Sequence, residues 1–269
     1  MRAQAHGQGP GTFARELRGP HRRTGGRVKK IIVLPAYNAA RTLRETVASL
    51  PPGAFDELLL VDDCSSDGTY ELALELGLNA VRHPRNRGYG GNQKTCYALA
   101  LERGADIVVM LHPDYQYDPR VIPFMTGIIE DGICEVVLGN RIRTRAEALA
   151  GGMPVYKYLA NRLLTVLQNL AAGQNLGEWH SGLRAYSRAA LEKINWRENA
   201  EGFAFDAQFL FQAAFKGLRL GDIPVPARYF PEASSIGLLP SIRYGLETLL
   251  AGAEFLANKA GLLRTARYK

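Results

Sequence analysis

The chain has 269 residues, of which 46% are hydrophobic and 22% charged, and a formal net charge of +7. This length suits one large α/β domain or two small ones, and the composition is ordinary for a soluble globular protein. The positive charge points to anionic partners (nucleotides, phosphates, a membrane surface or nucleic acid), and no run reaches the roughly 18 apolar residues of a membrane span.

Residues 1–27 read as a disordered basic tail: Arg15, Arg18, Arg22, Arg23 and Arg27 stand among Gly and Pro with little apolar periodicity and no signal-peptide core. Lys30–Leu34 (KIIVL) is the first buried strand, stopping at Pro35-Ala36-Tyr37-Asn38, and a helix over Arg41–Leu50 closes at Pro51-Pro52. Glu57–Val61 is a second strand, followed by Asp62-Asp63-Cys64-Ser65-Ser66-Asp67-Gly68 and a helix ending at Gly77. A short strand at Ala80–Arg82 leads through PRNRGYGGN to a helix over Gln93–Arg103. Ile107–Leu111 is an apolar, β-branched strand that ends abruptly in His112-Pro113-Asp114, before a helix at Arg120–Glu130 and a strand at Val136–Gly139. This alternation predicts a doubly wound, mainly parallel sheet with helices on both faces.

Past Arg141 the composition changes. Pro154–Ala172 predicts a helix with Val155, Leu159, Leu163, Val166 and Leu170 on one side, and His180–Tyr186 a loop or short strand. Phe205–Phe215 reads as a helix, Arg219–Val225 as a strand, and Leu239–Ala257 as an amphipathic helix, which with a basic end makes up a C-terminal unit over 238–269. Such stripes ordinarily pack into a core; a face lying on a membrane is the alternative. Three cysteines, Cys64, Cys96 and Cys134, without CxxC spacing fit a reduced, cytoplasmic protein.

Ligands of open α/β sheets bind beyond the carboxyl ends of the strands, so the chemistry is sought there. His112, Asp114 and Gln116, two residues apart, can reach one point and suit a divalent cation that keeps waters and phosphate oxygens as further ligands. The plain alternative is an acidic turn, with Asp118 capping the next helix ahead of Pro119. Asp62 and Asp63 can accept from a ribose hydroxyl or a base N–H, while Asp67 reads as a helix cap. Gly88, Gly90 and Gly91 precede a predicted helix, where backbone N–H groups can cradle a phosphate, although neither a Walker A loop nor GxGxxG is present. His83, beside Pro84, reads as a turn residue.

The segments VLPAYNAARTLRETVASL, LLLVDDCSSDGTYELA, NRGYGGNQ and MLHPDYQYDP, in this order, resemble the inverting family 2 glycosyltransferases with a GT-A fold. HSGLRAYSR, FAFDAQFL and GLRLGDIPVPARYFPEASS are similar to the dolichyl-phosphate mannose synthase branch, and the resemblance covers residues 29–240. It implies a glycosyltransferase domain over 28–237 and a nucleotide-sugar pocket lined by Pro35, Tyr37, Asn38, Asp62 and Asp63, with Gly88 and Arg141 as phosphate-side candidates. Asp114 and Gln116 would stand at the metal motif, usually Asp-x-Asp-x-Gln, with His112 replacing the first Asp. Imidazole suits Mn²⁺ better than Mg²⁺, so either ion is open. Ser181 and Arg184 would meet the acceptor phosphate, and Asp206 would be the base if the acceptor were a hydroxyl.

The expected reaction moves a sugar from a UDP- or GDP-sugar to a polyprenyl phosphate, at the cytoplasmic membrane face if the basic tail and apolar helices supply peripheral contact. A soluble hydroxyl acceptor is the alternative. A nucleotidyltransferase would need a Gly-rich basic loop where PAYN stands. Nucleic-acid binding is disfavoured because the cations gather in a tail instead of interleaving with aromatics.

Overall fold

The computed structural model describes residues 26–228 and 238–269. The basic segment 1–25 and residues 229–237, with the whole FPEASS stretch, lie outside the described residues. The sheet has seven strands: β1 (Lys30–Ala36), β2 (Glu57–Asp62), β3 (Asn79–Arg82), β4 (Ile107–Met110), β5 (Val136–Asn140), β6 (Arg184–Ser187) and β7 (Leu220–Pro224). Their spatial order is β3-β2-β1-β4-β6-β5-β7. Only β6 runs against its neighbours, pairing Arg184 with both Met110 and Leu138. The loop-or-strand HSGLRAYS segment is therefore a central strand, and its leading loop is carried to the carboxyl ends of β4 and β5.

The helices are α1 (Ala40–Ala48), α2 (Thr69–Glu75), α3 (Gly88–Glu102), α4 (Ile122–Glu130), α5 (Arg145–Ala150), α6 (Val155–Ala172), α7 (Arg188–Lys193), α8 (Ala204–Phe215) and α9 (Leu238–Lys259). β1, β2 and β4 are buried on both sides, and their alternate residues feed two cores. Ile31, Val33, Leu59 and Val108 pack with Tyr97 of α3, Phe205 and Phe209 of α8, and Phe255 of α9. Ile32, Leu34, Leu60 and Val109 meet Leu43 of α1, Ala73 of α2 and Met125 of α4. α9 is thus no appendage: Phe255 stacks on Phe211, and Phe215 meets Tyr268 edge-on.

Two expectations change. α3 starts at Gly88, five residues ahead of the predicted Gln93, so the glycine-rich loop is the first turn of a helix. The predicted stripe on α6 is solvent-exposed: Leu159, Leu163 and Leu170 are 60%, 61% and 76% exposed, while Asn161, Thr165 and Gln168 face inward. The core-packing reading of that stripe is overturned because this helix turns its polar side to the protein.

Candidate active site

A cavity of about 940 Å³ opens at the carboxyl ends of β1, β4 and β5. Strand order sets its layout, with the β2 and β1 ends at one side, β4 in the middle, and the β6 and β5 ends at the other. Asn38, Cys64 and Tyr115, the only non-glycine residues with positive φ among those described, each follow one of β1, β2 and β4. Backbone strain of this kind gathers at functional sites.

At the β1–β2 side, Pro35, Tyr37 and Asn38 line the cavity. Tyr37 is 58% exposed at its mouth. Asn38 is pinned by its N–H donating to Ser65 Oγ (2.8 Å) and its Oδ1 accepting from Ser66 N–H (3.0 Å). Asp67 accepts from the N–H groups of both Ala40 (2.9 Å) and Thr69 (3.1 Å), so one carboxylate caps the starts of α1 and α2 and its pKa is lowered.

The paired acids separate. Asp63 lines the cavity, yet its carboxylate already accepts from the N–H groups of Arg87 (2.8 Å) and Gly88 (2.9 Å) and lies 2.7 Å from His83 Nδ1. His83 is therefore a buried bridge, with Nε2 2.9 Å from Thr95 Oγ1, and not a bare turn residue. Asp62 is fully buried, takes Ser65 N–H at 3.1 Å and pairs with Arg82 at 3.3 Å, and is not on the cavity wall. Gly88 reaches the cavity, but the start of α3 is no phosphate cradle. Its N–H serves Asp63, and Gly90 and Gly91 donate to the Glu201 carbonyl at 2.7 and 3.2 Å.

In the middle stand His112, Asp114 and Gln116, all on the cavity wall. Burial raises the Asp114 carboxyl above its ordinary range, against the pull of His112, the Gln116 N–H and Arg141. Gln116 N–H donates to Asp114 Oδ1 (3.0 Å), Gln116 Oε1 accepts from Arg141 (3.4 Å), and His112 Nε2 is 3.1 Å from the Tyr89 hydroxyl. No three His, Cys, Asp or Glu side chains gather to hold a metal among the described residues. The donors fit an ion held by one carboxylate and completed by diphosphate oxygens and water, in the manner of Mg²⁺ or Mn²⁺, and not an all-protein cage. The Tyr89 contact makes His112 a hydrogen-bonding partner of α3.

Tyr89 and Asp206 also line the cavity: Tyr89 donates to Asp206 Oδ2 (2.7 Å), and behind them Arg184 pairs with the same oxygen (3.1 Å) and Gln93 Nε2 donates to Oδ1 (3.3 Å). Arg184 is fully buried, donating to the carbonyls of Ser181 (2.7 Å) and Trp179 (3.2 Å). Ser181 is also fully buried, its Oγ accepting from Leu183 N–H (3.3 Å). Neither lines the cavity. Direct contact of Ser181 and Arg184 with an acceptor phosphate is therefore corrected: β6 and its leading loop turn both inward, and the guanidinium is used by Asp206 and two carbonyls.

The cations on the wall are Arg141 and Lys157. Arg141 is held by buried Glu178, whose carboxyl it keeps below the usual range, and it donates to the His180 carbonyl (3.0 Å). Lys157, half-buried on α6, has its pKa lowered by burial and by Arg141, so two positive charges face one space. Lys157 and His180 were not singled out in the sequence. Only the helical period, which sets Lys157 off the apolar stripe, could have signalled the first. His180 Nδ1 lies 2.6 Å from the Tyr244 hydroxyl, linking the β6 loop to α9. One strand-end cavity thus offers an aromatic and amide side, the Asp114 carboxylate in the middle and a paired-cation side, which suits a diphosphate-bearing ligand facing a second anion.

The family model described as glycosyl transferase family 2 matches residues 31–195. The chain belongs to that family and is a glycosyltransferase of GT-A type. It is 29% identical to the UDP-N-acetylglucosamine–dolichyl-phosphate N-acetylglucosaminyltransferase of Methanococcus voltae, over 74% of this chain and 85% of the relative. It is 23% identical to the undecaprenyl-phosphate mannosyltransferase of Micrococcus luteus, over 74% and 83%. In fold it is similar to glucosyl-3-phosphoglycerate synthase of Mycobacterium tuberculosis, solved with Mn²⁺, UDP-glucose and phosphoglyceric acid (TM-score 0.62, 20% identity, 88% and 81% covered). It is likewise similar to mannosyl-3-phosphoglycerate synthase of Rubrobacter xylanophilus (TM-score 0.66, 17% identity, 89% and 77% covered).

Proposed function

We propose that the protein transfers a sugar from a nucleotide-diphosphate sugar to the phosphate of a polyprenyl phosphate, with inversion at the anomeric carbon. The observation that carries this reading is the Arg141–Lys157 pair on a cavity wall built by α6 and α9, helices whose outer sides are apolar. The dolichyl- and undecaprenyl-phosphate relatives support it. The nucleoside lies against Tyr37, Asn38 and Asp63, and Asp114 holds a divalent ion with the diphosphate. Bound there, Mn²⁺ or Mg²⁺ supplies neutralising charge for the leaving nucleoside diphosphate. Arg141 and Lys157 hold the acceptor phosphate, whose oxygen bonds to the anomeric carbon as the bond to the diphosphate breaks.

A phosphate monoester carries about −1.5 to −2 charge at neutral pH and attacks without losing a proton. This agrees with Asp206, whose carboxylate is fully engaged by Tyr89, Arg184 and Gln93 and is no ready base. The test supplies radiolabelled UDP- and GDP-sugars with detergent-dispersed polyprenyl phosphate. Label should move to the lipid fraction, require Mn²⁺ or Mg²⁺, and fall about a hundredfold or more in Asp114→Asn. Transfer to a water-soluble alcohol without lipid, abolished by Asp206→Asn, would replace this reading with a hydroxyl acceptor. Full turnover in excess EDTA would shift leaving-group stabilisation to arginines and backbone N–H groups.

A further inference from the structure

We infer that His112 is a positioning residue: it holds the Tyr89 hydroxyl, and through it the Asp206 carboxylate, on the cavity wall, and takes no part in holding the divalent ion. The inference rests on the reading of Asp114 as the carboxylate of that ion. His112 stands two residues before Asp114, where spacing alone would let it reach the same point. Its hydrogen bonds assign it elsewhere.

The cause begins in the backbone. Beside β1, the Val33 carbonyl takes the Leu111 N–H at 3.1 Å. The next bond of a parallel ladder, two residues on, would run from residue 113 to the Pro35 carbonyl, but Pro113 has no N–H to give. The His112 ring instead hydrogen-bonds the Pro35 backbone, whose one polar group is that carbonyl. At the other edge of the ring, Nε2 lies 3.1 Å from the Tyr89 hydroxyl, which donates to Asp206 Oδ2 at 2.7 Å. Both polar edges of the imidazole are thus turned to protein groups, whichever nitrogen carries the proton.

Packing fixes the ring in this orientation. A Cβ on Gly182 would stand 2.6 Å from His112 Cδ2 and 3.2 Å from Nε2, so that edge is pressed against the β6 loop. Tyr117 holds the loop there, its hydroxyl accepting the Gly182 N–H at 2.6 Å. Tyr89 stacks along the imidazole with centroids 5.3 Å apart, and packs on Phe203 at 4.9 Å. Asp114 belongs to a separate set, with the Gln116 N–H and Arg141. The ion site therefore keeps one carboxylate, and the imidazole shapes the wall beside it. On the proposed reading that wall of Tyr89, Phe203 and Asp206 faces the sugar of the donor, between the diphosphate and the acceptor phosphate. A hydroxyl held by Asp206 on one side and His112 on the other is fixed before the sugar arrives, at no cost in reorganisation during transfer.

Two measurements on the full chain separate this role from the reaction it serves. In the first, the electron paramagnetic resonance signal of free Mn²⁺ is titrated with protein in the presence of UDP. His112→Ala should bind within about twofold of the wild type, and Asp114→Asn about tenfold more weakly or worse. A loss in His112→Ala equal to that in Asp114→Asn would overturn the inference and make the imidazole a ligand. The second compares His112→Ala, Tyr89→Phe and the double variant. Each single change should lower kcat for sugar transfer about five- to tenfold with Mn²⁺–UDP affinity kept, and the double variant should be no slower than the slower single one. His112→Gln, whose amide can still meet the Tyr89 hydroxyl, should recover most of the loss. Losses that multiply in the double variant, with no rescue by His112→Gln, would reduce His112 to packing. A wild type that moves no sugar to polyprenyl phosphate would remove the proposed reaction, and the same four-protein cycle read in urea midpoints would still decide the coupling. Non-additive midpoint shifts would support it, and additive ones would overturn it.

Discussion

Arg184 and Lys157 divide what the sequence joined in one residue. Arg184 is a fully buried cation paired with Asp206, and removing one member of such a pair leaves the other charged and unsolvated, at a cost of about 3–5 kcal/mol. Arg184→Ala should therefore lower stability by that amount in urea unfolding. Lys157→Ala, on the cavity wall, should keep stability within about 1 kcal/mol and raise the acceptor KM roughly tenfold or more. A stable Arg184→Ala enzyme with only an acceptor defect would return the phosphate to β6. At this scale the residue types were legible, because Asp, Arg and Tyr at strand ends announce a site. Their facing was not. Arg184 lies on a strand whose reversed direction, which no local pattern records, decides that it points beneath the cavity.

At the level of elements, the start of α3 shows how a glycine run can be misread. A Cβ on Gly90 would collide with the Ala200 carbonyl oxygen and stand 2.8 Å from Phe205 Cβ. These glycines let helix and chain approach, and the N–H groups are consumed by Glu201 and Asp63. Gly90→Ala should destabilise by about 1–3 kcal/mol through overpacking. Gly127→Ala, in α4 with nothing within 4 Å of its Cβ, should be stabilising by up to about 1 kcal/mol. Thermal melts of the two variants moving in the same direction would contradict this account. Every strand but β6 was read to within a residue or two because continuous apolar runs bounded by Pro, Gly and Asp leave little choice. Helix stripes carry no such certainty: periodicity reveals that α6 has an apolar side, but not which way that side faces.

For the whole molecule, buried histidine makes stability pH-dependent. Burial lowers His180 to about 4, and lowers His112 in the same sense. An unfolded imidazole titrates near 6.5, so between these values the unfolded chain binds a proton that the folded one refuses. Stability is fully present above pH 6.5 and falls as pH drops toward 4, by roughly 3 kcal/mol from His180. Glu178, whose pKa is lowered, loses its own contribution further down, below the usual carboxylate range. Urea unfolding of His180→Gln should show a shallower decline over that window. An unchanged decline would transfer the effect to His112.

The excursion between β5 and β6 carries α5, α6, Lys157 and Glu178, and it leaves and rejoins the sheet at adjacent points, with Gly139 N–H donating to the Leu183 carbonyl at 2.9 Å. Segments anchored in this way can be exchanged with little disturbance to the frame, because closing a longer or shorter loop changes the entropy only logarithmically. Residues 141–183 therefore form a natural cassette, provided that an exchange keeps Leu176 and Trp179, which belong to the main core with Phe211. Recombination across a family could rewrite what such an enzyme accepts while leaving the β1–β2 side, where the proposed donor pocket lies, untouched.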